Sequence, residues 1–230
     1  MKLKHYSFFN SGVKAINTRD NWDSVRLDES ERDYYIPGTI EAFEQLPSVI
    51  NSKPLATWIA HQMALINARA LYSIGCGVAY VEYNLKKTAG IRVAVSDFTP
   101  SVMRLQALQV FDEVVELDIT TQDPAISPGT VLYLGRIDTE LADAQLQQIF
   151  ARLHQLNVQH ICMVPAQLLT PKAALIEAYV LLKSILQRRP RTFCGYNRSL
   201  GLFRQLAARY YQLTFHTVEG KPVFWLHKKD

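Results

Sequence analysis

The sequence predicts an open α/β fold: a Rossmann-like, doubly wound, seven-stranded mixed sheet with a reversed C-terminal strand and an irregular or helical N-terminal cap. Three observations lead there. From residue 71 onward, short β-branched or apolar runs alternate with longer stretches of helical periodicity. The first run lies in LYSIGCGVAYVEYNL, Leu71 to Leu85, and ends in two glycines before the apolar pattern resumes. The last thirty residues hold two β-rich runs joined at Glu219, Gly220, Lys221 and Pro222, a hairpin that puts an antiparallel strand at the sheet's edge.

The strands are expected near Leu71 to Ile74, Ile91 to Val95, Glu113 to Leu117, Val131 to Leu134 and His160 to Val164. After the second strand, Thr99 is placed to cap a helix that has Pro100 at its first position, where a missing N–H is harmless. In the next helix Leu146, Ile149, Phe150, Leu153 and Leu156 share one face. A further helix runs from about Pro171 to Gln187 and stops before Pro190. Upstream, LATWIAHQMALINARA reads as an amphipathic helix feeding the first strand. Residues 1–55 are polar, aromatic-rich and punctuated by Pro37, Gly38, Pro47 and Pro54, and are taken as a cap over the sheet's ligand edge, with the main domain spanning 56–230.

Composition narrows the class. With 230 residues, 48% hydrophobic and 20% charged, the chain can bury a full core, which excludes disorder. The net charge of +4 is spread along the chain, so nucleic acid is permitted but not favoured. Three cysteines without a CxxC pair or zinc spacing indicate a reduced, cytoplasmic protein with no metal. No secretory apolar segment and no span near ~18 apolar residues is present, so a soluble protein without a membrane partner is expected.

In open α/β sheets ligands collect beyond the carboxyl ends of the strands, at the switch point beside the first strand. Gly75 and Gly77 sit there and allow a tight turn with close backbone approach, while the following helix offers free N–H groups. A dinucleotide turn would need a small residue at the sixth position from Gly75, where this chain has Tyr80; its small residue is Ala79, one place earlier. Nicotinamide is therefore disfavoured.

The G-x-G-x-A corner resembles the first motif of the class I S-adenosylmethionine-dependent methyltransferases, and the resemblance continues in order over roughly residues 56–230. VAVSDFTPSVM is similar to the second-strand segment, VVELDIT to the third-strand motif and VLYLGRIDTEL to the fourth-strand position, and the C-terminal hairpin resembles the family's reversed last strand. The resemblance implies S-adenosylmethionine as cofactor and S-adenosylhomocysteine as product. It implies that Asp97 holds the ribose hydroxyls, with Phe98 and Thr99 beside it, and that Asp118 and Ile119 hold the adenine. Ser73, Gly75, Cys76, Gly77, Ala79 and Gly135 complete the implied cofactor set, and Tyr35 of the cap is added to it. Ser73 departs from the acidic residue the family often carries there, which shifts amine recognition toward backbone carbonyls or the cap.

The acceptor is less legible. The tetrapeptide of base and glutamine N-methylating branches is replaced by Gly135, Arg136, Ile137 and Asp138, and no cysteine stands where RNA C5-methylating branches keep theirs. A small molecule or short peptide, methylated at a hydroxyl or carboxylate oxygen, is the expectation. Arg136, Asp138 and Glu140 are the candidate catalytic groups; Tyr34, Arg136, Tyr196 and Arg198 are the candidate substrate contacts. Two alternatives stand: an RNA methyltransferase or nucleic-acid-binding protein, drawing on KSILQRRPR (Lys183 to Arg191), and a non-catalytic partner that kept the fold. No histidine shows a partner in sequence, and the oligomeric state is not legible.

Overall fold

The computed structural model describes residues 1–7, 18–31, 34–188 and 192–229. The cap region holds β1 (Lys2–Ser7), α1 (Arg19–Leu27), α2 (Ile40–Glu44) and α3 (Pro47–Leu65). Then follow β2 (Ala70–Ile74), α4 (Tyr80–Ala89), β3 (Arg92–Asp97), a 3-10 segment (Pro100–Leu108), β4 (Glu113–Glu116) and β5 (Thr130–Gly135). A 3-10 turn (Ile137–Thr139), α5 (Asp143–Gln155), β6 (His160–Val164), α6 (Pro171–Gln187), β7 (Thr192–Arg198), α7 (Leu200–Ala207), β8 (Tyr211–Val218) and β9 (Lys221–Lys228) complete the chain.

Seven strands form one sheet in the order β4-β3-β2-β5-β6-β9-β8. It is parallel from β4 to β6, and β9 runs antiparallel to both of its neighbours. The reversed strand thus lies one in from the edge, and β8 forms the edge. The side chains explain the order: Val223, Phe224 and Leu226 of β9 are fully buried, whereas β8 alternates with exposed positions and tolerates a solvated side. The hairpin turn shrinks to Glu219 and Gly220, both at positive φ (47° and 77°), the sense of twist a two-residue hairpin needs. Lys221 and Pro222 belong to β9.

The central strands are buried on both faces, which is why they read as continuous apolar runs. Leu71, Val93, Val95, Val131 and Tyr133 face one core with α3 and α4; Tyr72, Ile74, Leu132, Leu134 and Met163 face the other with α5 and α7. Leu156, expected on the buried face of α5, instead ends the helix and is exposed.

Further local readings change. Pro54 lies inside α3, where burial of Leu55, Ala56, Ile59 and Met63 carries the helix through a residue expected to interrupt it, and the helix crosses the expected boundary at residue 55. The segment after β3 is 3-10 rather than α, and the Thr99 hydroxyl does not cap it, because it bonds Ser101 and Asp97 instead. Tyr196, Asn197 and Arg198, expected in a loop, lie in β7, which pairs antiparallel with β1 in a second, two-stranded sheet. The expected stop at Pro190 and the end of the basic stretch fall outside the described residues. Among the described residues no helix is long and apolar enough to cross a membrane.

Arg198 shows what β7 is for. Its guanidinium is fully buried, with Nε donating to Asp143 Oδ1 at 2.7 Å and the two terminal nitrogens donating to the carbonyls of Asp138 and Leu141. It thereby holds the β5–α5 connection against β7. Arg198→Ala should lower unfolding free energy by about 3 kcal/mol or more, because buried acceptors lose a charged donor; urea denaturation with an unchanged m-value checks this, and a loss below about 1 kcal/mol would contradict the bracing role.

Candidate functional site

A pocket of about 600 Å³ opens at the carboxyl ends of β2, β3 and β5, where the strand order reverses direction around β2. Its floor is residues 74–78 and its walls are Asp97 and Phe98, residues 117–120, and residues 135–137 and 139–141. The cap contributes Trp22, Arg26 and Tyr34; the two-stranded sheet contributes His5, Cys194 and Asn197 from the far side.

The two glycines of the corner have different uses. Both have positive φ (69° and 57°). A side chain at Gly75 would collide with Ile137, so this glycine lets the β5 connection close onto the corner. Above Gly77 the nearest atom is Arg26 Nη2 at 3.9 Å, so this position faces open pocket. Ala79 takes a left-handed conformation (φ 62°) that most residues avoid, and α4 starts directly after it. Beneath the corner, the buried Ser73 hydroxyl donates to Glu82 Oε1 at 2.5 Å. Burial raises the Glu82 carboxyl to about 7, the Ser73 bond opposing only part of that rise. An acid absent at position 73 is thus present one helical turn into α4, touching the same place.

Asp97 is the most heavily bonded group in the pocket wall. Arg26 donates to both of its oxygens, Nη1 to Oδ1 at 2.5 Å and Nη2 to Oδ2 at 3.0 Å, and Gly77 N–H donates to Oδ2 at 3.0 Å. Arg26 also donates to the Thr99 hydroxyl and lies over the Trp22 ring, 5.6 Å from its centre. Burial opposes the charge on Arg26, but the Asp97 carboxylate outweighs it and holds the guanidinium above its ordinary pKa. Asp118 lines the wall too, with Oδ1 accepting from the Thr120 N–H at 2.8 Å and hydroxyl at 2.7 Å, and Ile119 lies beside it.

The other half of the pocket carries acids. Glu140 lines it with a carboxyl raised to about 7 by burial and by the Asp97 charge, opposed by Arg26; the Trp22 indole N–H biases it from nearby without completing a hydrogen bond. Asp138 is buried behind the wall, pushed to about 6 by burial, with Oδ1 accepting from Ala166 N–H at 2.9 Å and Oδ2 unpartnered. Asn197 Oδ1 and Trp22 Nε1 are likewise buried without partners, and both residues line the pocket. Two orphaned polar atoms on residues that line one cavity are what a site completed by a ligand leaves behind. Arg136 stands exposed at the rim at φ 64°.

The structure brings Gly75, Cys76, Gly77, Asp97, Phe98, Asp118, Ile119, Gly135, Tyr34, Arg136 and Glu140 to the pocket lining. Ser73, Ala79, Thr99 and Asp138 support it from behind. Three expected contacts are elsewhere: Tyr35 donates to Glu29 at 2.9 Å and lies under Arg104, Tyr196 packs against Phe193 beneath Lys2, and Arg198 is the buried brace described above. Arg26, Trp22, Glu82 and Asn197 are the additions. Trp22 and Arg26 stand four apart on α1, a spacing that puts them on one helical face; Glu82 is a lone acid in an otherwise apolar stripe. Among the described residues no group of three histidine, cysteine, aspartate or glutamate side chains could hold a metal ion.

No protein-family model matches the sequence, and no curated protein matches it. Solved structures do. Magnesium protoporphyrin IX methyltransferase from Synechocystis PCC 6803 with bound SAH superposes at a TM-score of 0.63 and 12% identity, covering 92% of this chain and 97% of that one. Human N-acetylserotonin methyltransferase in complex with SAM gives 0.60 at 16% identity, and mitomycin 7-O-methyltransferase gives 0.62 at 12%. These cover 91% and 90% of this chain but only 59% and 60% of theirs, so the chain spans about three fifths of those two enzymes. The chain has the fold of the class I methyltransferases.

The raised carboxyl of Glu82 ties stability to pH. The folded protein keeps a proton there that the unfolded chain releases near pH 4.5, so this group's contribution falls by about 3 kcal/mol as pH rises from 4.5 to 7 and is level above that. Urea unfolding of wild type and Glu82→Gln from pH 4.5 to 8.5 should show the variant's slope flattened by that amount; parallel slopes would mean that Glu82 is ionised throughout.

Proposed function

We propose that the chain is an S-adenosylmethionine-dependent methyltransferase acting on a small molecule, with oxygen as the acceptor atom. The observation that carries this reading is the glycine corner: Gly77 opens onto a pocket whose walls hold one acid at the end of β3 and another just beyond β4. The volume lies within the ~300–1,000 Å³ usual for small-ligand sites. The fold neighbours include a methyltransferase with SAH bound and a 7-O-methyltransferase, which supports the cofactor and the oxygen. A cytoplasmic setting agrees with cysteines that form no disulfide.

The residues present fit the cofactor. Gly75, Cys76 and Gly77 would receive its methionine portion, Asp97 and Phe98 the ribose, and Asp118 and Ile119 the adenine; the ribose hydroxyls would share the Asp97 carboxylate with Arg26. When bound, the cofactor supplies an electrophilic methyl group for an in-line displacement. The chain's own part is to hold the acceptor oxygen in line, exclude water and take its proton. Glu140 is suited to taking the proton, because it lines the pocket and because a carboxyl near 7 is partly ionised at neutral pH while remaining a competent proton acceptor for a hydroxyl. Asn197 Oδ1 and Trp22 N–H offer an acceptor molecule one acceptor and one donor, and Arg136 at the rim meets anionic groups.

A second reading, a methyltransferase-fold protein without transfer, draws on the hold of Arg26 on the very carboxylate that ribose would use. Calorimetric titration with S-adenosylmethionine and S-adenosylhomocysteine, with NAD as control, separates the two. Micromolar binding of both adenosyl ligands and none of NAD is expected, and Asp118→Ala should weaken binding about tenfold, the worth of one hydrogen bond. Absence of any heat from either adenosyl ligand would overturn the enzymatic reading.

A further inference from the structure

α6 is built the wrong way round for a helix on a free surface. The face toward the two-stranded sheet carries Ala173, Glu177, Val180 and Ser184, with Glu177 bonded to His5 and the Asn197 amide at 3.5 Å. The opposite face carries Leu175, Ile176, Tyr179, Leu182, Ile185 and Leu186, each 44–74% exposed, and none of these side chains joins either core. Their spacing of three and four is that of a helix-pairing seam. The one cation near its middle, Lys183, lies over the Tyr179 ring, 5.8 Å from the centre.

We infer that α6 is a homodimer interface, in which it packs antiparallel against α6 of a second copy about a two-fold axis between Val180 and Leu181. A two-fold interface must be self-complementary: residue i meets j, and j meets i. In LIEAYVLLKSIL, residues 175–186, the large apolar side chains fall at the same places from either end, with Ala178 set opposite Lys183. About that axis Leu175 faces Leu186 of the other copy and Tyr179 faces Leu182, while Ile176 and Ile185 flank this seam on its two sides. Within residues 175–186 no acidic or basic side chain is brought opposite one of like charge, and the antiparallel arrangement sets the two helix dipoles against each other. A helix of 17 residues is ~25 Å long, and its apolar face offers on the order of the ~800 Å² that each partner gives to a standard interface. A solvated apolar patch of that size is rare on a monomer.

The test is sedimentation equilibrium of the full chain, with Leu182→Glu and Tyr179→Lys, both at solvent-facing positions, so that circular dichroism should stay unchanged. Wild type should sediment at twice the chain mass in the micromolar range, and each variant at the single mass. Mixing the two variants should restore a one-to-one dimer, because the antiparallel register sets the new carboxylate against the new ammonium while the other Tyr179–Leu182 contact stays native. A monomeric wild type, a dimer untouched by Leu182→Glu, or a mixture that stays monomeric would overturn the proposal. So would a monomer that cosediments with phosphatidylserine–phosphatidylcholine vesicles, which would assign the face to a lipid surface.

Discussion

One carboxylate ties three parts of the chain together. Asp97 ends β3, receives both terminal nitrogens of Arg26 from α1, and takes the Gly77 N–H from the corner. Both partners of the ion pair are almost completely buried, Asp97 at 1% and Arg26 at 6% exposed. Neither charge is tolerable at that depth without the other, since a buried ion left alone is worth several kcal/mol of destabilisation. The cap's seat on the sheet, the curvature of the corner and the turn after β3 are therefore set as one unit. Asp23 reinforces it by accepting the Ser101 N–H at 2.8 Å, which pins α1 to the 3-10 segment.

Where a local signal coincided with burial, the fold was readable in advance. β6 occupies the residues read for it because its apolar run is buried on both faces, and α6 does so because Pro171 suits a first helical position, even though much of that helix is exposed. Pairings between distant segments left no such mark. β1 meets β7 across some 190 residues of chain with a bulge between His5 and Tyr6, and nothing in KLKHYS names its partner. The places of β8 and β9 in the sheet depended on which strand could bear burial on both faces, a comparison that a hairpin signal does not make. The interruption expected at Pro54 gave way to tertiary packing.

The pocket divided along the same line. Gly77, Asp97, Asp118 and Glu140, which stand at or just beyond strand ends, line one pocket. Arg198 does not, because an arginine's fate depends on the carbonyls around it, and those of Asp138 and Leu141 come from a connection some sixty residues away. Arg26 was invisible for the converse reason: one basic residue on a short helix acquires meaning only when the helix is seen lying across the corner. Ser73 looked like a missing charge, and only the fold shows Glu82 beside it.

The acids around the pocket have a thermodynamic corollary. Glu140 holds its proton up to about pH 7 because burial and the Asp97 charge disfavour a second negative charge. A positive charge seated beside it relieves that penalty and expels the proton, so the uptake of a cation is coupled to acid release, whereas an uncharged relative of the same shape leaves the proton in place. The sulfonium of a methyl donor and the thioether left after transfer differ in that charge. A donor whose sulfonium lies beside Glu140 would then be held more tightly than its thioether product as the pH rises through neutrality.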